Sequence, residues 1–405
     1  MKMARLIVGT LLSSSLTIGA LGACGSTAVA PAGGGDGGAG PIDRDAGPFV
    51  PLGMNDVTVL VPLPSVLSAP VLLRGSDASD DGKVLVPRPL FDRLVEVPSS
   101  MPIVPADAYD RLHLVAVRID LCDRNLPGPC AANADGRLRL VFQPLSDGSG
   151  AEDVGFHAFY SIPANELAGA IASVRELALL QAEPTSSPLR VSPGLTSGAP
   201  EAYAAKLRAL VRRHAGEAKL VRLTLNAQPI FFSAVRWSMR GLERRGATFE
   251  DMSIPGTSAT SQDVTLFAPA SYDPSPATDS PAGLLGAFSQ TTFDDAAPAQ
   301  KRLFLEALAA VDNPLMHGPD TVACVACHAS TVTMRARSKS GAIDPITVAG
   351  RYTSRYDLSI AAGKSADTER TLRALGWLGK EPMISQRVAN DTAQVLVEIE
   401  QRFPR

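Results

Sequence analysis

The chain has 405 residues, 38 Lys and Arg against 41 Asp and Glu, a formal net charge of −3, and 45% hydrophobic residues. That composition belongs to a globular protein large enough for two domains with real cores, and it excludes a disordered chain. With charge nearly balanced and no Lys/Arg-rich run, the sequence argues against nucleic acid as a partner.

In chain order, Met1 to Cys24 has the parts of an export signal. Lys2 and Arg5 form a positive n-region, Leu6 to Leu21 an apolar h-region, and Leu21-Gly22-Ala23-Cys24 closes it with small residues before a cysteine. Residues 1–23 are thus the signal peptide. Residues 24–50 are a tether, because Gly25 to about Gly47 is Gly, Ala, Pro and Asp and cannot bury enough apolar surface to fold. At ~5–6 Å × √n such a segment lifts the folded part of the chain by roughly 25–30 Å. After the signal no run approaches the ~20 apolar residues of a transmembrane helix.

Residues 51–270 read as an α+β domain. Strands are expected at Asp56 to Pro64, where Val57, Val59 and Val61 alternate, and at Val71 to Leu73 and Val84 to Val86. His113 to Leu121 and Arg137 to Gln143 should pair as a hairpin, followed by a strand over Val154 to Ile162. Helical spacing over Ala164 to Gln181 and Pro200 to Ala215 predicts two helices. Further strands are expected near Ala218 to Asn226, Ile230 to Met239 and Asp263 to Ala268. The Pro/Ser/Asp-rich residues 271–285 read as a linker, and the pattern then turns helical over 286–405. There, Asp294 or Asp295 should cap a helix ended by Asn313-Pro314, Ser330 to Lys364 should be irregular, and helices should cover Asp367 to Leu375 and Ser385 to Gln401.

Five cysteines are present. Cys122 and Cys130 bracket a turn-rich stretch in an exported chain, where disulfides persist, and are expected to be bonded. Cys324-Val325-Ala326-Cys327-His328 reads C-x-x-C-H, the spacing at which two thiols bond a haem covalently and the following imidazole ligates its iron. The same cysteines also admit a local disulfide, a thioredoxin-like redox pair, or zinc with His317. His113, His157 and His214 sit in periodic runs and read as structural histidines. No G-x-S-x-G, H-E-x-x-H or phosphate loop occurs.

Two resemblances add to this. Leu21 to Cys24 resembles the bacterial lipobox, which implies cleavage before Cys24, acylation of that residue and a membrane anchor; Gly25 after it implies the outer membrane. The order of helix, C-x-x-C-H, irregular segment, short helix, Met383 and terminal helix resembles a class I cytochrome c domain. That implies one covalent haem c on Cys324 and Cys327, with His328 as proximal and Met383 as distal ligand. His317, Met316 and Met334 stay open as distal alternatives. The whole chain resembles uncharacterised secreted bacterial lipoproteins that join a β-containing region to a C-x-x-C-H segment. The expected function is electron transfer with a redox protein partner, as a carrier rather than an enzyme. The alternative is a surface lipoprotein without haem, a binding or structural module in which Cys324 and Cys327 form a disulfide.

Overall fold

The computed structural model describes residues 51–404 apart from 65–72, 97–103, 124–126, 129, 132, 147, 149, 182–183, 228–234, 268–270, 275–280 and 361–373. The export signal, Cys24 and the tether up to residue 50 lie outside the described residues. So do residues 71–72 of an expected strand, part of the expected linker, and residues 367–373 of an expected helix.

A single helical turn, α1 (Met54–Val57), leads into β1 (Thr58–Leu60). Val84 to Val86 is not a strand. Val84 makes one isolated bridge to Ala78, and Pro87 immediately opens α2 (Arg88–Val95). β2 (Leu112–Asp120) and β3 (Gly136–Ser146) form the expected antiparallel pair, and the excursion between them holds the Cys122–Cys130 disulfide, Cα to Cα 5.5 Å. Next come β4 (Gly150–Ala151), β5 (Val154–Ile162), α3 (Ala164–Ala178), α4 (Pro193–Thr196) and α5 (Pro200–His214). β6 (Leu220–Ala227), β7 (Val235–Arg245), β8 (Thr248–Asp251), β9 (Ser261–Phe267) and β10 (Ser271–Pro274) complete one ten-stranded antiparallel sheet. Its order is β1-β2-β3-β5-β6-β7-β9-β10, with β4 on β3 and β8 on β7.

The sheet has two different faces, both covered. Leu138, Leu140 and Phe142 on β3 lie beside Ala158, Phe156 and Tyr160 on β5 and Leu223 and Leu225 on β6, all nearly or fully buried. Burying such side chains stabilises the fold by about 1.5–3 kcal/mol each. This apolar face meets α2, where Phe91 packs on Phe156 at 5.5 Å between ring centroids, and α5, whose Tyr203, Leu207 and Val211 are buried. The alternate residues are polar: Arg118 and Asp120 on β2, Arg139 on β3, His157 on β5, Arg222, Thr224 and Asn226 on β6. Paired residues of adjacent strands point the same way, so the registers Arg118↔Arg139, Arg139↔Phe159, Phe159↔Arg222 and Asn226↔Met239 put these on one face.

C-terminal elements cover the polar face. α6 (Leu284–Phe288), α7 (Gln290–Asp295), α8 (Pro298–Val311) and α9 (Cys324–Ser340) come after the sheet. The expected cap at Asp294 or Asp295 is corrected to Ala297. Pro298 takes the first helical position with its preset φ, and the residue before a proline disfavours helix, so α7 and α8 are separate. The irregular segment expected from Ser330 is also corrected, since α9 runs on to Ser340. Its buried residues mix Val325, Ala326, Ala329, Val332 and Met334 with Ser330, Thr331, Thr333, Arg337 and Ser338, so hydropathy gave no helical stripe. Ser330 and Thr331 donate to Asp312 at 2.6 and 3.1 Å, and fully buried Arg337 donates to the α6 carbonyls of Ala287 and Phe288, each at 3.0 Å.

Leu375, expected to close a short helix, instead starts β11 (Leu375–Leu378), which pairs with β12 (Glu381–Ile384). Gly376 (φ 139°) and Gly379 (φ 56°) supply the backbone conformations that this hairpin needs. It docks on the sheet through Gln143, which accepts from Trp377 N at 2.7 Å and donates to Trp377 O at 2.8 Å. The last helix, expected over Ser385 to Gln401, is α10 (Gln386–Arg402) with Ser385 as its cap, and it packs on α1 and α9. Two apolar cores result. One joins the sheet, α3, α5, the hairpin and α10; the other gathers Trp237 and Met239 of β7 with α6 to α9. Among the described residues no helix is long and apolar enough to cross a membrane.

Candidate functional site

α9 opens with the C-x-x-C-H run. Its third- and fourth-residue spacing sets Cys324, Cys327 and His328 on one side of the first turn, at the seam between the two cores. No side chain of α9 itself caps this turn. Gln262 of β9 does so instead, its Oε1 accepting from Val325 N at 3.0 Å. At the other end, α10 holds the last carbonyls of α8: Arg387 Nη1 donates to Val311 O at 2.7 Å and Asn390 Nδ2 to Asp312 O at 2.7 Å. The first turn of α9 is therefore held by β9, and α10 is tied to the end of α8.

Cys324, Cys327 and His328 line one cleft between α9, α10 and the polar face of the sheet. It encloses about 960 Å³ of atom-free space, part of it open to solvent. The sheet contributes Arg139, His157, Phe159, Arg222, Thr224, Asn226 and Met239. Met252 follows β8, Pro319 and Asp320 precede α9, Ala374 precedes β11, and Arg387, Val388 and Asp391 come from α10. Both cysteines are free thiols rather than a disulfide. Burial pushes Cys324 up to about 12, with Cys327 beside it adding to the shift, and burial likewise pushes Cys327 up to about 11 against the pull of Arg387.

An ionic cluster forms the floor. Arg118, with no side-chain exposure, pairs with Asp120 at 2.7 Å and Asp391 at 3.1 Å, and Arg387 reaches Asp391 at 2.9 Å. Arg139 lies 4.0 Å from Asp120, with its guanidinium 4.7 Å from the centre of the Phe159 ring. Burial and the facing Arg118 push Arg139 down to about 10. Arg222 is held by Asp320 at 2.9 Å and by Glu243. Burial also lifts Asp312 to about 6, although the Ser330 hydroxyl and Arg387 oppose the rise.

No protein family, curated protein or solved structure matches this chain.

The cleft brings together Cys324, Cys327 and His328 but not Met383. That methionine is 1% exposed on β12 and does not line the cleft. Neither do its alternatives. His317 meets the Thr321 hydroxyl at 3.3 Å, Met316 is 46% exposed, and Met334 is buried in the second core. The donors that do line it are Met239, Met252 and His157. His157 carried one sequence signal, since it falls on the polar side of an alternating strand. For the two methionines there was none, because an apolar side chain in a strand reads the same whether it meets a core or a cavity. Among the described residues no three His, Cys, Asp or Glu gather as a metal cage.

The donor set fits a c-type haem. Two uncharged free thiols and an imidazole share one helical turn, and Phe159, Met239, Met252 and Val388 give the cleft an apolar wall. Among the described residues no group of three such ligands gathers here, short of the four a tetrahedral zinc site takes.

Proposed function

We propose that this protein is an exported lipoprotein, anchored to the outer membrane through Cys24, that carries one haem c and transfers electrons to or from a redox protein. The observation that carries the reading is the gathering of Cys324, Cys327 and His328 on the cleft side of α9, with both thiols free. Cys324 and Cys327 would fix the group covalently, and His328 would hold the iron from α9. Met239, Met252 and His157 are the donors lining the same cleft, and one of them is a better second ligand than Met383. When bound, the haem supplies reversible one-electron chemistry at its iron. The chain's own part is to hold it in a partly water-free cleft, with Arg139, Arg222 and Arg387 beside it as fixed cations that favour the more negative state of whatever sits there.

A second reading, a binding module without haem, is favoured by the polar face of the sheet, which lines the cleft with buried arginines rather than with a continuous apolar wall. Intact mass and a reduced-minus-oxidised spectrum of protein exported in a host with c-type haem maturation separate the two. A haem-sized mass gain and an α-band, both absent from Cys324→Ala/Cys327→Ala, support the first. A colourless wild type of unmodified mass overturns it.

A further inference from the structure

Four sulfur-bearing side chains line the cleft. Cys324 and Cys327, on the first turn of α9, are free thiols that pack against the second core, to which Met239 of β7 belongs. Register brings Met239 to that turn. It pairs across the sheet with Gln262 of β9, and Gln262 Oε1 is the atom that accepts from Val325 N at 3.0 Å. Opposed residues of adjacent strands point the same way with Cβ atoms about 4.5–5.5 Å apart, so Met239 stands beside the side chain that holds the residue next to Cys324. Met252 reaches the same face over a glycine. Its amide donates to Gly241 O at 2.9 Å, and a Cβ on Gly241 would fall 3.2 Å from Met252 Sδ. The thioether thus occupies the space that a side chain two residues along β7 from Met239 would take. A haem uses the two thiols and at most one thioether, which leaves the second thioether without a role.

We propose that, in the chain whose thiols carry no haem, the cleft binds one monovalent copper ion through the sulfurs of Cys324 and Cys327, with the thioethers of Met239 and Met252 closing the site from the sheet. Softness decides the metal. Thiolate and thioether are ligands that select Cu(I). Zinc takes four ligands from Cys, His and carboxylates, and among the described residues no three of these gather here. The exchange needs no oxidant: Cu⁺ forms two Cu–S bonds, two S–H bonds break, and both protons leave to solvent through the open part of the cleft. A neutral pair of thiols thereby becomes a site with one negative charge. Arg222 beside Cys324, and Arg387 and Arg139 beside Cys327, favour that charge, whereas Asp320, Asp391 and Asp312 oppose it, so the Cu–S bonds rather than the local charges drive the loss of protons. The inference goes beyond the function proposed above and does not rest on it, because a haem bonded to both sulfurs leaves copper no thiolate.

The test uses the full chain, exported in a host without c-type haem maturation and kept reduced. Cu(I) is supplied as its coloured complex with bathocuproine disulfonate, and transfer is read from the loss of colour. One equivalent should move to the wild type and none to Cys324→Ala/Cys327→Ala, while Met239→Leu/Met252→Leu should bind at least about tenfold more weakly. X-ray absorption at the copper edge should show sulfur neighbours alone, more of them in the wild type than in the methionine variant. Zn(II) offered on a chelator should stay there. Thermal melting by circular dichroism checks that each variant is folded; leucine keeps the size and apolar character of methionine, so the methionine variant carries the test if the cysteine variant does not fold. The proposal is overturned if copper stays on the chelator with the wild type, if the folded cysteine variant takes it, if the methionine variant binds within about twofold of the wild type, or if Zn(II) is held as tightly. The mass and spectrum of protein made with haem maturation are read separately. Haem attached there, with no copper bound by the haem-free chain, sinks this inference alone, whereas copper bound by a chain that never acquires haem sinks the haem reading alone.

Discussion

Asp391→Asn should be the most damaging single substitution in the floor of the cleft. Asp391 on α10 receives Arg118 Nη1 at 3.1 Å and Arg387 Nε at 2.9 Å, and the three side chains are 7%, 0% and 8% exposed in that order. Asparagine keeps one neutral acceptor, so at least one charge-assisted contact is lost: Arg118 is left with Asp120 as its carboxylate partner, and Arg387 loses its salt bridge. Removing one partner from a buried pair destabilises by about 3–5 kcal/mol, because the remaining charge cannot regain its water. Against a total stability of about 5–15 kcal/mol this is a large share. With m near ~3 kcal/mol/M in urea, the unfolding midpoint should drop by about 1–1.7 M, measured by circular dichroism with m unchanged. The penalty comes from the uncompensated cations, so adding Arg387→Met to Asp391→Leu should restore part of the loss. A fall of less than about 1 kcal/mol in Asp391→Asn, or a double variant worse than the sum of its single variants, would refute the reasoning.

Three further outcomes are expected. Burial pushes Asp56 from its ordinary 3.8 up to about 7, against the Gly53 amide that favours its charged form. The native state therefore holds a proton that the unfolded chain has released, and stability falls as pH rises between about 4 and 7. Asp312, lifted to about 6, acts with the same sign up to that pH. Asp56→Asn should flatten the decline in melting temperature over this window, and an unchanged or steeper decline would count against a buried neutral carboxyl. Replacing Cys122 and Cys130 by serine opens a loop with a sequence separation of 8. Chain entropy puts the loss at about 2–3 kcal/mol, and a urea midpoint insensitive to the change would mean that the excursion is already ordered without the bond. In haem-free protein, Cys324 and Cys327, pushed up to about 12 and 11, should react with iodoacetamide at pH 8 more than ~100-fold slower than in the unfolded chain. Alkylation at the unfolded rate would mean an open, thiolate-bearing pair.

The sequence by itself determined the local elements whose pattern and punctuation agree. The hairpin of β2 and β3, the Cys122–Cys130 bond in its loop, the strand β5 and the helices α3, α5 and α10 arise from alternation, helical spacing and turn-rich punctuation. It also determined that Cys324, Cys327 and His328 are neighbours, because residues three and four apart need no long-range information to meet on a helix. Only the tertiary structure decided what faces them. α9 was illegible beyond Thr331 because polar side chains interrupt its buried face, among them Ser330 and Thr331, held by Asp312 at the end of α8, and Arg337, held by carbonyls of α6. Met383 stands before the terminal helix, as the resemblance suggested, yet the hairpin of β11 and β12 carries it away from the cleft lining, and Met239 and Met252 line the cleft instead. The polar stripe of Arg118, Arg139, His157, Arg222 and Asn226 is visible as alternation, strand by strand. The strand pairing turns it into one face, and α9 and α10 bury it. Register, which sets every other side chain on the same side, is fixed by contacts far apart in the chain, so the cleft emerges only once the sheet is assembled.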